Sequence, residues 1–244
     1  MATLFISDLH LSGERPHIIT LFTQFLREEA RRAEALYILG DLFEVWLGDD
    51  AVPGEIQPVI NELRDLTSSD VPVFVMVGNR DFLLGKDFEK ATGCQLLPDP
   101  SVIDLYGVPT LLMHGDTLCT DDVDYQTFRA QVRDPAWQTA FLAKSIEDRI
   151  AFGKQARAES KARAREKTDD IMDVNPQAVI DTLSRHQTYR LIHGHTHRPA
   201  VHKINLGDQT ATRIVLGDWY EQESVLKVDT SGLRLSGNPQ TNWY

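Results

Sequence analysis

Cysteine is nearly absent from this chain: two residues, Cys94 and Cys119, in 244. They share no CxxC spacing, which excludes a disulfide framework and a thiolate zinc site and suits a reducing cytoplasm. Long apolar runs are missing as well. No apolar stretch approaches the roughly 18 residues that a membrane-spanning helix needs, and the N-terminal apolar run is cut short at Asp8 and His10, unlike a signal peptide. Positive charge is scarce, with 25 Lys and Arg against 36 Asp and Glu, a formal charge of −11. A field of that sign repels polyanions, so no nucleic-acid partner is expected and a phosphate-bearing substrate needs a local cationic site. Repeats and low-complexity tracts do not occur.

What is present points to one sizeable core with an insertion, since 244 residues are somewhat short for two full domains. Leu36-Tyr37-Ile38-Leu39 is an apolar run that stops at Gly40-Asp41. Such a run reads as a buried strand of an α/β sheet, and its carboxyl end is where these sheets place their chemistry. Alone, Gly-Asp is an ordinary turn. Four further runs end the same way, however: Leu4–Ile6 at Ser7-Asp8-Leu9-His10, Val71–Val77 at Gly78-Asn79-Arg80-Asp81, Leu111–Met113 at His114-Gly115-Asp116, and Tyr189–Ile192 at His193-Gly194-His195-Thr196-His197. Alternation along an extended chain puts Asp8 and His10 on one side. Helical spacing over Ile18 to Ala33 and again over Ile56 to Leu66 supplies βαβ connections.

Between the fourth and fifth strands, residues 121–173 change character. They are Ala-rich and helix-compatible, with Trp137, Phe141, Leu142, Ile146, Ile150 and Phe152 followed by a charged run from Lys154 to Lys167, and they read as a helical cap. After Pro199 the pattern alternates between turn signals, which implies three or four antiparallel strands closing a second sheet.

The strand-end residues Asp8, His10, Asp41, Asn79, His114, His195 and His197 amount to about the number of protein donors that two divalent cations need when they share one carboxylate. Imidazole, carboxylate and amide donors without thiolate suit Mn²⁺ first, or Fe²⁺, with Zn²⁺ next and Mg²⁺ less suited to so many histidines. Each histidine taken singly reads more readily as an ordinary hydrogen-bonded residue than as a ligand. Convergence of all seven on strand ends outweighs that reading.

These five motifs, in this order, resemble those of the calcineurin-like metallophosphoesterases. The resemblance implies an α/β fold, a four-layer α-β-β-α sandwich formed by residues 1–120 and 174–244, with residues 121–173 as the inserted cap. More closely, Phe5–Leu11, Gly40–Asp50, Gly78–Leu83, Leu96–Pro100 and His193–Pro199 resemble the UDP-2,3-diacylglucosamine hydrolases of lipid A biosynthesis. That family implies two Mn²⁺, one held by Asp8, His10, Asp41 and His197, the other by Asp41, Asn79, His114 and His195. It implies Asp41, Asn79, Arg80 and His195 as catalytic residues. The implied reaction is hydrolysis of the substrate pyrophosphate, by water attack on the uridylyl-side phosphorus, to UMP and 2,3-diacylglucosamine 1-phosphate.

Arg80 bears on the leaving group. In the broader superfamily a His commonly follows the motif's Asn and can protonate an alkoxide, whereas arginine stays charged and cannot. A pyrophosphate, whose leaving group is already a stable anion, fits that substitution, with Arg80 stabilising phosphate charge. The plainer alternative pairs Arg80 with Asp81. In the cap, Arg157, Ser160, Ala164 and Lys167 fall at i, i+3, i+7 and i+10, one helix face. The family resemblance makes that face, with Asp122 and Tyr125, contact the substrate's sugar, phosphate and base, alongside Asn79, Arg80 and His195; Ala164 departs from the pattern by offering no polar side chain. On the same reading Trp137, Phe141, Leu142, Ile146 and Ile150 enclose acyl chains, against the alternative that they are the inner face of a packed helix pair.

The family implies a monomer on the cytoplasmic face of the inner membrane, bound peripherally to the membrane surface that holds its lipid substrate. Two rivals stay open: a phosphodiesterase for soluble nucleotides or phosphoproteins on the same core, and a non-catalytic, metal-stabilised interaction module. Asp49-Asp50 and Gly217-Asp218 read as turns or as hydrogen-bonding groups behind the ligands.

Overall fold

The computed structural model describes residues 1–164, 173–220 and 223–236, with 161–164 described by backbone alone. Its first half is a run of βαβ units: β1 (Thr3–Ile6), α1 (Pro16–Glu28), β2 (Ala35–Leu39), α2 (Gln57–Thr67), β3 (Val73–Met76), α3 (Lys86–Thr92) and β4 (Gln95–Leu97). The four strands pair in parallel, in chain order. A second sheet begins with β5 (Ser101–Leu105) and β6 (Val108–Met113) and continues, after the helices α4 (Val123–Val132), α5 (Pro135–Leu142), α6 (Ile146–Ala164) and α7 (Pro176–Arg185), with β7 (Arg190–His193) parallel to β6.

The strands after Pro199 depart from expectation. β8 (Ala200–Asn205) and β9 (Thr210–Val215) do join the second sheet, but β9 pairs parallel to β7 and only β8 runs antiparallel. β10 (Leu226–Asp229) and β11 (Gly232–Leu235) cross to the first sheet, where β10 lies antiparallel to β1. The orders are β11-β10-β1-β2-β3-β4 and β5-β6-β7-β9-β8. Period-2 alternation is the same in both settings, so the sequence pattern does not say which sheet a strand joins.

The apolar runs are continuous because each strand is covered on both faces. Leu4, Ile6, Leu36, Ile38, Val73 and Val75 face α1 and α2, packing on Phe22, Leu26, Val59 and Leu63. Their neighbours Phe5, Leu39 and Met76 face the other way and meet Leu112, Ile192 and Ile214 of the second sheet. On the far side, Leu111, Met113 and Leu191 pack against Val179 and Leu183 of α7. The result is the expected four-layer α-β-β-α sandwich. Among the described residues no helix is long and apolar enough to cross a membrane.

Helices α4, α5 and α6 occupy the stretch between β6 and β7. Their starts follow from local chemistry: Asp122 and Asp134 accept hydrogen bonds from Tyr125 N and Trp137 N, and Pro135 stands at the first position of α5, where its missing N–H costs nothing.

Candidate metal centre and substrate cavity

Both sheets present the carboxyl ends of their parallel strands at the same edge. Asp8, Asp41 and Asn79 follow β1, β2 and β3 of the first sheet, while His114 follows β6, and His195 and His197 follow β7, of the second. Strand alternation is not what aligns them. β1 ends at Ile6, and Asp8 and His10 sit beyond it with φ of 56° and 49°. Asp41, His195 and His197 are also left-handed, at 53°, 69° and 55°, so five of the eight described non-glycine residues with positive φ belong to this cluster. Such backbone costs of order 1 kcal/mol per residue and persists where the surroundings over-determine it. Here the loops zip together: Asp8 N donates to Gly40 O (3.1 Å), His10 N to Asp41 O (2.9 Å) and Leu11 N to Leu42 O (2.9 Å). The close approach also demands glycine at 78, where a Cβ would collide with the Asp41 carboxylate.

Two groups of donor atoms result. His10 Nε2 lies 3.3 Å from His197 Nε2 and 3.7 Å from Asp41 Oδ2, and His197 Nε2 lies 3.3 Å from Asp8 Oδ1. In the other group His114 Nε2 and His195 Nδ1 both reach Asn79 Oδ1 at 2.9 Å, and His114 Nε2 is 3.8 Å from Asp41 Oδ1. Asp41 thus turns one carboxylate oxygen to each group.

The donor atoms fit a pair of cations. The ligand atoms of Asp8, His10 and His197 lie within 4.8 Å of one another, as do those of Asp8, Asp41 and His114. Asp8 Oδ1 is buried without a hydrogen bond, a cost that a cation relieves. Behind the cluster, other groups occupy the opposite ring nitrogens: Leu39 O at 2.9 Å from His114 Nδ1, Asp218 Oδ2 at 3.2 Å from His197 Nδ1, and Glu44 Oε2 at 3.4 Å from His10 Nδ1. The contacts to His114 and His197 favour the tautomer whose Nε2 lone pair points into the cluster, while Glu44 faces His10 Nδ1 without a hydrogen bond.

The electrostatics favour positive charge here. Burial opposes protonation of His114, yet Asp41, Asp116 and Asp8 push it up to about 9; for His197, Asp218 and Asp8 overcome burial and push it up to about 10. Burial would raise the Asp8 carboxyl, but His197, His114 and His10 hold it well below the usual range. Burial and the neighbouring His114 pull His195 down to about 4, leaving a neutral ring.

Glu44 and Asp116 were not singled out by sequence reasoning. Both are buried. Glu44 sits in the apolar stretch Leu42-Phe43-Glu44-Val45-Trp46, and a lone carboxylate there is the signal that could have marked it. Asp116 accepts from Tyr125 Oη (2.5 Å) and Arg129 Nε (2.7 Å). Asp218, one of the residues read as turn or supporting group, does the second. Asp49 accepts the amides of Gly85, Asp87 and Phe88 and so holds the start of α3.

A cavity of about 980 Å³ lies between this edge and the helices α4, α5 and α6. Asn79, Arg80, His195 and His197 line it together with the apolar Phe82, Phe141, Ile146, Ile150 and Phe152. Asp122, Tyr125, Arg157 and Ser160 line its walls, and the Tyr125 ring lies over His195 with centroids 6.0 Å apart. Arg157 also reaches Glu44 Oε1 at 3.3 Å. Trp137 and Leu142 are not in the lining; Trp137 instead stacks on Phe141 at 4.8 Å and packs on the core, because the short α5 turns it inward. Asp81 does not pair with Arg80: its oxygens accept the Gly78 amide at 2.7 Å and the Phe43 amide at 3.3 Å, and Arg80 Nε is buried without a hydrogen-bond partner. Ala164 closes the backbone of α6, and Lys167 lies outside the described residues.

Residues 1–199 match the family model of the Calcineurin-like phosphoesterases. The chain is 54% identical over 242 residues to the UDP-2,3-diacylglucosamine hydrolase of Stenotrophomonas maltophilia (strain K279a), covering 96% of this chain and 98% of that one. It matches the enzyme of the same name from Xanthomonas campestris pv. campestris to the same identity and coverage. Among solved structures, a novel archaeal phosphodiesterase superposes with a TM-score of 0.49 at 13% identity, over 96% of this chain and 98% of that one.

Proposed function

The chain belongs to the calcineurin-like phosphoesterases and, within them, to the UDP-2,3-diacylglucosamine hydrolases, and from that premise we propose that it hydrolyses the pyrophosphate of UDP-2,3-diacylglucosamine. The products are UMP and 2,3-diacylglucosamine 1-phosphate. One observation carries the reading: a carboxylate, Asp41, turned toward two Asp/His groups, whose Asn79, His195 and His197 line a cavity shared with Phe82, Phe141, Ile146, Ile150 and Phe152. A substrate with a phosphate centre and acyl chains matches that polarity.

In this reading Asp8, His10, Asp41 and His197 hold one Mn²⁺ and Asp41, Asn79, His114 and His195 the other. When bound, such a pair supplies Lewis acidity to phosphoryl oxygens and lowers the pKa of water. Arg80, with a buried and unpartnered Nε, donates to the phosphates as charge develops on the departing sugar phosphate. It stays protonated throughout, so the leaving group departs as an anion and takes no proton from Arg80. Asn79 and His195 border the reacting phosphorus, and Asp122, Tyr125, Arg157 and Ser160 bind the sugar and phosphates. Ala164 and Lys167 complete the substrate-binding set.

Residues 1–120 and 174–244 form the hydrolase core and 121–173 the cap. The protein acts as a monomer on the cytoplasmic face of the inner membrane. Leu142, Ile146, Ile150 and Phe152 of the cap are each more than a third exposed, which supports peripheral contact there. The test is Mn²⁺-dependent release of UMP from the diacylated sugar nucleotide beside UDP-N-acetylglucosamine. Turnover of the lipid substrate alone is expected; equal turnover of both would favour a soluble-nucleotide phosphodiesterase instead.

A further inference from the structure

A second cavity, about 260 Å³, lies on the outer face of the second sheet. It is lined by Asp173, Thr196, Arg198, His202 and Arg213 with Pro199, Ala200 and Val215, and it shares Thr196 and Arg198 with the large cavity. Register explains the placement. Ile214 points into the core between the sheets, so Arg213 and Val215 on β9 point outward, and His202 faces Arg213 across the β8–β9 pair. The loop His195–Arg198 separates the two cavities and carries two of the residues assigned above to the metal pair.

The second cavity is chemically unlike the apolar lining of the first. Arg198 Nη1 donates to Asp173 Oδ2 at 2.9 Å, and Val174 N to Asp173 Oδ1 at 2.7 Å, which leaves each carboxylate oxygen with further accepting capacity. Arg213 Nη1 is buried and has no hydrogen-bond partner. A buried donor in that condition carries a desolvation cost that an incoming acceptor removes.

The substrate assigned above has a lipid-bearing sugar on one side of the pyrophosphate and a nucleoside on the other. With the acyl chains at Phe141, Ile146, Ile150 and Phe152, Thr196 and Arg198, which line both cavities, connect the phosphate centre to the second one and offer the base an alternative to the face of α6. We propose that the second cavity seats the uridine of the substrate, with Arg213 donating to a uracil carbonyl and Asp173 accepting from the ring N3–H. This rests on the substrate reading above. It also predicts base selectivity: arginine has only donors, so Arg213 donates to the C4 carbonyl of uracil and leaves the C4 amino group of cytosine unpaired.

The test is direct binding of UMP, CMP and 2,3-diacylglucosamine 1-phosphate to the Mn²⁺-loaded protein by calorimetry. UMP is expected to bind about ten-fold tighter than CMP, the value of one well-placed hydrogen bond from a charged donor. In Arg213→Met, UMP should weaken about ten-fold, with CMP and the lipid product within about two-fold of wild type. Equal affinity for UMP and CMP in the wild type, or an unchanged UMP-to-CMP ratio in Arg213→Met, overturns the assignment. So does a matching loss of the lipid product. If Arg213→Met does not fold, Arg213→Lys, which keeps the charge but not the forked donor, should narrow the ratio; an unchanged ratio there overturns it too. Wild-type release of UMP from the lipid nucleotide is measured alongside. Its absence with UMP still preferred would remove the substrate reading and leave the nucleotide pocket standing.

Discussion

The sandwich and the cap are built from helices of different kinds. In the sandwich, α1 buries Ile18, Ile19, Phe22, Phe25 and Leu26, and α2 buries Val59, Ile60, Leu63 and Leu66, each along one apolar stripe. In the cap, α4 buries only Val132 and α5 only Phe141. Among the described side chains of α6, Arg149 alone is buried. The sandwich is therefore held by apolar area removed from water, at roughly 25 cal/mol per Å². The cap helices add polar contacts to the packing of Trp137 and Phe141 on the core: Arg149 to Asp50 Oδ2 at 2.5 Å and to Leu47 O at 2.6 Å, Arg133 to Gly78 O at 2.7 Å, Arg129 and Tyr125 to Asp116, and Arg157 to Glu44. The difference teaches that chemistry, substrate binding and stability are separable by mutation in this protein.

The sharpest separation is expected at the cluster. Asp41→Ala should reduce turnover by about 10³-fold or more while the melting temperature stays near that of wild type, because the residue serves the cations and not the core. Chelation of wild-type protein should abolish activity and added Mn²⁺ restore it; activity that survives full chelation breaks the metal reading. Next comes Arg80→Ala, with a loss of about 10²-fold on the pyrophosphate and a smaller loss on an activated aryl phosphodiester. Equal losses on both would reduce Arg80 to a structural role.

Arg149→Ala tests the cap itself. KM for the lipid substrate should rise about three- to ten-fold, in line with losing one charged hydrogen-bonded pair, and protease should cut within the cap sooner, with the global melting temperature little changed. A large fall in that temperature would show the cap to be part of the cooperative core.

The smallest effect belongs to the sandwich. Both oxygens of Asp99 are buried without hydrogen bonds, and burial, reinforced by Asp116, pushes its carboxyl up from 3.8 to about 6. A folded pKa above the unfolded one means the folded state holds the proton more tightly. The stability this contributes is complete below about pH 4 and is lost as pH rises through 6, on the order of 3 kcal/mol. Asp99→Asn should flatten the stability profile between pH 4 and 7, read by denaturant unfolding; an unchanged slope would assign it to other groups.

Reading from sequence succeeded where the physics is local. The runs at Leu36–Leu39 and Leu111–Met113 are apolar because both faces are covered, and their polar ends mark the sheet edge wherever the sheets lie. It failed where partners are distant or signals short. β4 and β5 went unseen because they are partly exposed edge strands with no continuous apolar run. Trp137 and Leu142 were placed with the cavity lining, since an apolar residue in a cap helix looks the same whether it meets ligand or core. Asp218 ends Ile214-Val215-Leu216-Gly217, much as Asp41 ends Ile38-Leu39-Gly40. Only its 3.2 Å approach to His197 Nδ1 distinguishes a supporting carboxylate from a turn.

The five apolar runs, the kinds of donor atom at their ends and the apolar covering of both their faces were determined by the sequence alone, because each depends on residues within one turn or one strand. That Asp41 turns one oxygen toward His10 and the other toward His114, that His10 and His197 come edge to edge, and that β10 and β11 belong to the first sheet were decided by the tertiary structure. Those contacts join segments far apart in the chain through left-handed loops and the stacking of two sheets, and no local pattern of residues encodes a distance across that gap.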